Sequence, residues 1–337
     1  MPTKIVLVGE AWGESEDREK RPFCGASGQE LTRMLLEAGI DRYGCFLTNV
    51  FNFRPKDNKI EEVCGAKSSA LPGYPPLIKS KFVQQKFSSE LDRLGDELIA
   101  HDPNVVVALG NTPMWALLGR AGISKLRGTT HLSTHTAAGF KVLPTYHPAA
   151  VVREWTLRPT VILDFQKALR ESEYPDIRRP RREVYIAETI EDIQEFQDAF
   201  ISNTLAVDIE TSGNQITCIG FAPSPEVILV IPIYDSRRAG RNYWLSADDE
   251  CKVWEIISSI LLDATISKSF QNGLYDIAFL WRSYGIKVMG AEHDTMLLHH
   301  SLMPEALKGL GFLGSIYTDE RAWKEMRGSV DTIKQDE

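Results

Sequence analysis

The 337-residue chain is 43% hydrophobic and 25% charged, with a formal net charge of −8, which describes a globular protein and excludes a disordered one. Its length exceeds one ordinary core and fits two domains of about 150 residues each. No apolar run approaches the roughly 20 residues that cross a bilayer, and the opening MPTKIVLVGE enters a strand with no secretory leader, so a soluble, cytoplasmic protein is expected.

The predicted elements fall into two grammars. From the N-terminus, strands at Lys4–Val8, Cys45–Val50, Asn104–Leu109 and Lys141–Tyr146 alternate with helices. The helices are one opened by Ser27, with Glu30 at capping-box spacing, and others near Phe87–Ile99, from Pro113, and near Pro159–Arg170. Continuous apolar strands alternating with helices predict a parallel sheet covered on both faces. The Pro- and Arg-rich segment 173–183 reads as a linker. Beyond it, Thr204–Ile209, Gln215–Ala222 and Val227–Ile233 are strands close in sequence, which predicts an antiparallel meander. Helices then follow near Asp248–Leu262, Leu274–Tyr284 and Thr295–Met303, with a short strand near Ile266–Phe270. The expected domains are 1–172 and 184–337.

The charge is uneven. Residues 1–182 carry 26 Lys and Arg against 21 Asp and Glu, a net of +5; residues 183–337 carry 12 against 25, a net of −13. A mildly basic half suits a phosphate backbone, and a strongly acidic half suits carboxylates around divalent ions; ordinary surface charge accounts for the split equally well. The cysteines Cys24, Cys45, Cys64, Cys218 and Cys251 form no CxxC pair and read as reduced thiols.

In open α/β sheets, ligands bind at the carboxyl ends of strands. The polar residues Glu10, Asn49, Asn111 and His147 all fall at that edge. The segments GEAWGESEDREKRPFCGASGQEL, LTNVFNFRP, VVVALGNTPMWALLG, KLRG and TYHPAAVVR resemble, over about residues 1–170, the uracil-DNA glycosylases that usually carry an iron–sulfur cluster. The resemblance implies a base-flipping domain acting on uracil in DNA, single-stranded DNA included. Glu10 would position the attacking water and His147 would stabilise the departing uracil anion. Asn49 would read the base edge, Phe23 would stack on the flipped base, and Ser27 and Gly28 would hold a phosphate at a helix N-terminus. Two departures stand out: Trp12 occupies the place of a usual proline, and the four ligating cysteines are missing, so no iron–sulfur cluster is expected.

In the second half, Asp208 and Glu210 share one face of a strand, and Asp276 opens a helix. AVDIETSG, QNGLYDIAFL and HDTMLLHHSLMPE resemble the 3′–5′ exonuclease domains of bacterial-type (family A) DNA polymerases, a ribonuclease-H-like mixed fold. There the residues matching Asp208, Glu210 and Asp276 bind Mg2+ or Mn2+. The family's third motif, Tyr-x-x-x-Asp, is not matched, since Arg321 stands four residues after Tyr317. The expectation is an N-terminal portion of a DNA polymerase, of phage type, with the polymerase domain beyond residue 337. A non-catalytic uracil-sensing or DNA-holding scaffold is the alternative.

Overall fold

The computed structural model describes residues 4–200, 203–238 and 240–322. The chain divides into two compact units: Met1–Arg179 joined by the segment that begins at Gly311, and Pro180–Leu310.

The first unit is built on β1 (Ile5–Ala11), β2 (Phe46–Phe51), β3 (Cys64–Gly65), β4 (Phe82–Val83), β5 (Val105–Leu109), β6 (His131–Leu132) and β7 (Lys141–Thr145). Its helices are α1 (Glu14–Glu19), α2 (Ala26–Glu37), α3 (Ser88–His101), α4 (Asn111–Leu118), α5 (Ile123–Leu126), α6 (Pro148–Arg153) and α7 (Arg158–Glu171). The main sheet runs β2-β1-β5-β7-β6. Its first four strands are parallel, as expected. The two-residue β6 adds an antiparallel fifth strand on the edge, with His131 opposite Val142 and Leu132 opposite Lys141; so short a strand carries no apolar run to betray it.

Side chains alternate across the pleat, so β1 feeds two cores. Val6 and Val8 join α3 and α4 through Leu94, Leu98, Met114 and Trp115. Ile5 and Leu7 join α2 and α7 through Leu31, Leu35, Val161 and Phe165. Each such fully buried aliphatic or aromatic side chain contributes about 1.5–3 kcal/mol. An α/β/α sandwich is the result, with α4 buried from Thr112 through Leu118.

The second unit contains β8 (Glu183–Ile186), α8 (Ile190–Phe200), β9 (Thr204–Ser212), β10 (Gln215–Ala222), β11 (Val227–Pro232), α9 (Ala247–Leu262), β12 (Ser267–Phe270), α10 (Leu274–Tyr284), β13 (Ala291–Asp294) and α11 (Thr295–Leu302). Its sheet order is β13-β12-β9-β10-β11-β8. The meander β9-β10-β11 is antiparallel, and β12 pairs parallel with β9 on the other side. That is a ribonuclease-H-like strand order, with β8 added in parallel beside β11. A last helix, α12 (Leu310–Tyr317), carries the chain onward from this unit.

Residues 311–322 pack within the first unit. Arg127 donates to Ser315 Oγ at 2.9 Å and through Nε to Asp164 Oδ2 at 2.9 Å. Lys167 Nζ donates to the carbonyl of Thr318 at 2.7 Å and lies 3.5 Å from Asp319. Arg127, Asp164, Lys167 and Ser315 are all buried, so this late segment supplies acceptors that buried cations require.

Candidate functional site

Gly9 and Glu10 do not follow β1, as the sequence suggests, but lie inside the strand near its end. Gly9 pairs across to Asn49 on β2. A Cβ at Gly9 would lie 2.2 Å from Asn49 Oδ1 and 2.5 Å from the Phe23 ring. Glycine here lets the amide and the aromatic ring close over the strand edge. Asn49 and Phe23 are both buried.

Phe23 has a left-handed backbone, φ 55°, a conformation a bulky residue adopts only when its surroundings enforce it. Arg42 enforces it, donating to the Phe23 carbonyl at 2.7 Å and to the Gly28 carbonyl at 2.9 Å. Gly28 packs so closely beneath Phe23 that a Cβ would sit 1.9 Å from its carbonyl oxygen. The Phe23 and His147 rings are 6.1 Å apart between centroids and inclined by 31°.

The Glu10 carboxylate accepts from Thr112 Oγ1 on the first turn of α4. Burial raises its pKa above the usual carboxylate value; Thr112 and Arg153 oppose that rise and Glu61 adds to it. His147 caps α6, its Nδ1 accepting from the Ala149 N–H at 3.1 Å. Burial, reinforced by Arg153, pushes its pKa down to about 4. The ring is therefore neutral at physiological pH. Gly110, at φ 98°, lets the loop after β5 approach, since a Cβ there would be 3.2 Å from His147 Cβ.

The capping box expected at Ser27 does not form. Gly25 is the N-cap of α2, with no side-chain cap bond. Glu30 is instead drawn into ion pairs with Arg158 at 2.7 Å and Arg33 at 3.3 Å, which an arginine 128 positions away makes more favourable than a local cap. Glu16 takes the Gly25 N–H at 3.1 Å. Ser27 and Gly28 lie in the first turn of this 12-residue helix, where amide N–H groups have no intrahelical partner. Asn111 turns away, its Oδ1 accepting from Gly122 and Ile123.

The structure thus brings Glu10, Phe23, Asn49 and His147 to one edge of the sheet. Gly9, Arg42, Thr112 and Glu16 support them; of these only Gly9 was legible in the sequence, as the glycine before a strand-end acid.

The first unit holds three cysteines, fewer than a four-thiolate cluster takes. Cys24 precedes α2, Cys45 precedes β2 and donates to the Asp41 carbonyl, and Cys64 lies in β3. Burial raises the thiols of Cys24 and Cys64, keeping them protonated. Among the described residues, no group of three or more His, Cys, Asp and Glu side chains could hold a metal ion.

In the second unit, Asp208 and Glu210 share one face of β9, as expected. That face is exposed, while Leu205, Val207 and Ile209 point into the core, because only one face of this meander strand is covered. Asp276 on α10 is buried and accepts from the Ile209 N–H at 3.1 Å. Its pKa is pushed up to about 6, mainly by burial, with the Asp208 and Asp294 charges adding to the rise. Asp294 caps α11 and also accepts from Asn272 and Gly273 at 3.1 and 2.8 Å. Burial raises its pKa, but these backbone donors outweigh it and the net shift is downward. Its oxygens are committed to the backbone. Tyr275 reaches Thr211 on β9 at 2.8 Å, a phenol beside the acids that the motif did not single out.

An acid, an amide, an aromatic ring and a neutral imidazole thus meet at the strand edge of an α/β/α sandwich. The chain belongs to the uracil-DNA glycosylase superfamily, whose family model matches residues 2–171. The type-4 uracil-DNA glycosylase of Sulfurisphaera tokodaii is 34% identical over 170 residues, covering 49% of this chain and 68% of that one. A DNA polymerase of Bacillus phage SP01 is 21% identical over 322 residues, 88% of this chain but 32% of the polymerase, so the chain spans about a third of that relative's length. A solved structure of Brucella melitensis NrnC with bound Mg2+ matches with a TM-score of 0.29 at 18% identity, covering 43% of this chain and 64% of that one. No helix among the described residues is long and apolar enough to cross a membrane.

Proposed function

We propose that the first unit excises uracil from DNA, working on a single-stranded or flipped nucleotide. The observation that carries this reading is the gathering of a buried Glu10 carboxylate, Asn49, Phe23 and a neutral His147 at one edge of the sheet. Because Nδ1 of His147 accepts a backbone N–H, the ring proton sits on Nε2. That N–H donates to uracil O2 as the glycosidic bond breaks and its electron pair moves onto the base. Glu10 faces the sugar, stabilises positive charge at C1′ and orients the water. The water oxygen bonds to C1′, and its proton balances the uracil N1 anion. Asn49 offers both a donor and an acceptor to the uracil edge, Phe23 stacks on the ring, and the first turn of α2 at Ser27 and Gly28 receives a phosphate. An iron–sulfur cluster does not fit the thiols present, and no step passes through one.

We infer that the second unit is a 3′–5′ exonuclease module of the kind that accompanies DNA polymerases. Asp208, Glu210 and Asp276 offer hard oxygen donors suited to Mg2+ or Mn2+, but they do not form a ready ligand group, and no step is derived through a metal. Similarity to a phage polymerase along most of the chain supports a role beside DNA synthesis, in a bacterial cell or a phage-infected host, with a polymerase domain as partner. The test is an oligonucleotide bearing one uracil against the same strand bearing thymine: alkali-labile cleavage confined to the uracil strand supports the proposal, and none in either overturns it.

A further inference from the structure

We propose that Trp155 is a stacking platform for a base of the bound DNA strand close to the flipped uracil, a nucleotide subsite beside the pocket of the first unit. The proposal rests on that unit taking uracil-containing DNA. Trp155 opens the short turn Trp155–Leu157 that follows α6, and it is 61% exposed. Val151 before it and Leu157 after it supply what the core takes from this segment, so the indole lies outside the core. Val152, 55% exposed, adds apolar surface to the same stretch. A single exposed apolar side chain is ordinary; this one is set apart by how it is held and where it stands.

The ring is braced. The Arg158 guanidinium lies over it, 5.0 Å from the centroid, and is itself fixed to α2. Its Nε donates to Glu30 at 2.7 Å and its Nη1 to Glu37 at 2.8 Å. With its charge met by two carboxylates, Arg158 acts as a support for the indole and not as a phosphate ligand. The side-chain freedom of this pair is given up on folding, so little is left to lose when a base settles on the ring.

Its place follows from α6. That helix begins at the His147 cap and runs six residues, roughly 9 Å at 1.5 Å per residue, and it packs on α2. Glu30, which anchors the support, stands about one turn beyond Ser27 on α2. The platform therefore flanks the two elements that offer His147 to the base and an amide-rich first turn to a phosphate. Arg153, the exposed last residue of α6, is close enough for its charge to act on both Glu10 and His147. The far end of the helix thus stays within reach of the pocket. A base next to a flipped nucleotide has lost a stacking neighbour, and an aromatic face replaces it. Every base has such a face, so stacking of this kind is tolerant of sequence.

The experiment uses the full chain and reads binding and excision separately. Binding is followed by anisotropy on labelled single-stranded oligonucleotides carrying a 2′-fluorinated deoxyuridine that resists cleavage. A second set has a baseless tetrahydrofuran unit at one of the positions flanking it. Wild type is expected to lose roughly tenfold in affinity when one particular flanking base is removed. Trp155→Ala should lose roughly tenfold on the intact strand and nothing further when that base is removed. Trp155→Phe, which keeps a ring, should recover most of the affinity. A purely structural role would leave Trp155→Ala as sensitive to base removal as wild type. That result overturns the proposal, as does unchanged affinity in Trp155→Ala or no wild-type binding of any strand. Excision is scored on ordinary deoxyuridine: its absence, with the base-dependent loss of binding intact, sinks the glycosylase reading and leaves the platform standing.

Discussion

His147 Nδ1 accepts the backbone N–H of Ala149 at 3.1 Å, and that bond fixes which ring nitrogen carries the proton. With the pKa near 4, the imidazole is neutral at pH 7 and bears hydrogen on Nε2. Nitrogen-15 resonances of this ring should show the Nε2–H tautomer, unchanged from pH 8 to pH 5. A doubly protonated ring at pH 6 would contradict it.

The same burial makes stability depend on pH. His131 and His147 both titrate near 4 in the folded chain and near 6.5 unfolded. Between those values the unfolded state binds more protons, so stability falls as pH drops through the window and is regained as pH rises. Scanning calorimetry should show the Tm of the first unit declining from pH 7 to pH 5, with a shallower decline in His147→Asn. A flat profile would show that these rings are not held neutral.

Gly9 has no room for a methyl group, with Asn49 Oδ1 and the Phe23 ring both closer than 3 Å to the added carbon. Gly9→Ala should push Asn49 and Phe23 apart and cost about 1–3 kcal/mol from overpacking. Uracil excision should fall further than this loss of stability explains. Wild-type rate in a folded Gly9→Ala would separate the Asn49–Phe23 closure from function.

Ser315 accepts from Arg127 across 188 residues of sequence. Ser315→Ala leaves a buried guanidinium N–H unmatched, at about 1–3 kcal/mol, and should lower the Tm of the first unit. A chain ending at Leu310 should be less stable still, because Lys167 is then deprived of the Thr318 carbonyl and Asp319. Equal melting of all three chains would mean that the late segment does not stabilise the glycosylase-like fold.

With Asp294 committed to four backbone N–H groups and Asp319 paired with Lys167, neither is available to complete an acidic cluster on β9. Titration calorimetry should therefore find weak Mg2+ and Mn2+ binding, and nuclease assays little DNA degradation. Robust degradation abolished by Asp208→Ala would show that a further acid completes the site.

Most of the scaffold was legible in the sequence, because buried parallel strands write continuous apolar runs and β9 to β11 are punctuated by Gly213-Asn214 and Pro223. Glu10, Asn49 and His147 were legible because strand ends are where such sheets place ligands, and Phe23 only through the resemblance of its segment. Three features were not. A two-residue edge strand leaves no periodic trace in His131–Leu132. Glu30 at capping distance from Ser27 was claimed by a distant arginine. The docking of Ser315 against Arg127 joins residues too remote for any local pattern to encode.

Release of uracil from a single-stranded oligonucleotide by the 337-residue chain, at pH 7.5 without added metal, bears most directly on the central claim. Wild type should leave alkali-labile sites only at uracil. Glu10→Gln and His147→Ala should each slow this by roughly 10²–10⁴, far more than any change in their stability explains. Absence of cleavage by wild type, or wild-type rates in both variants, would contradict excision and leave the domain a non-catalytic holder of DNA.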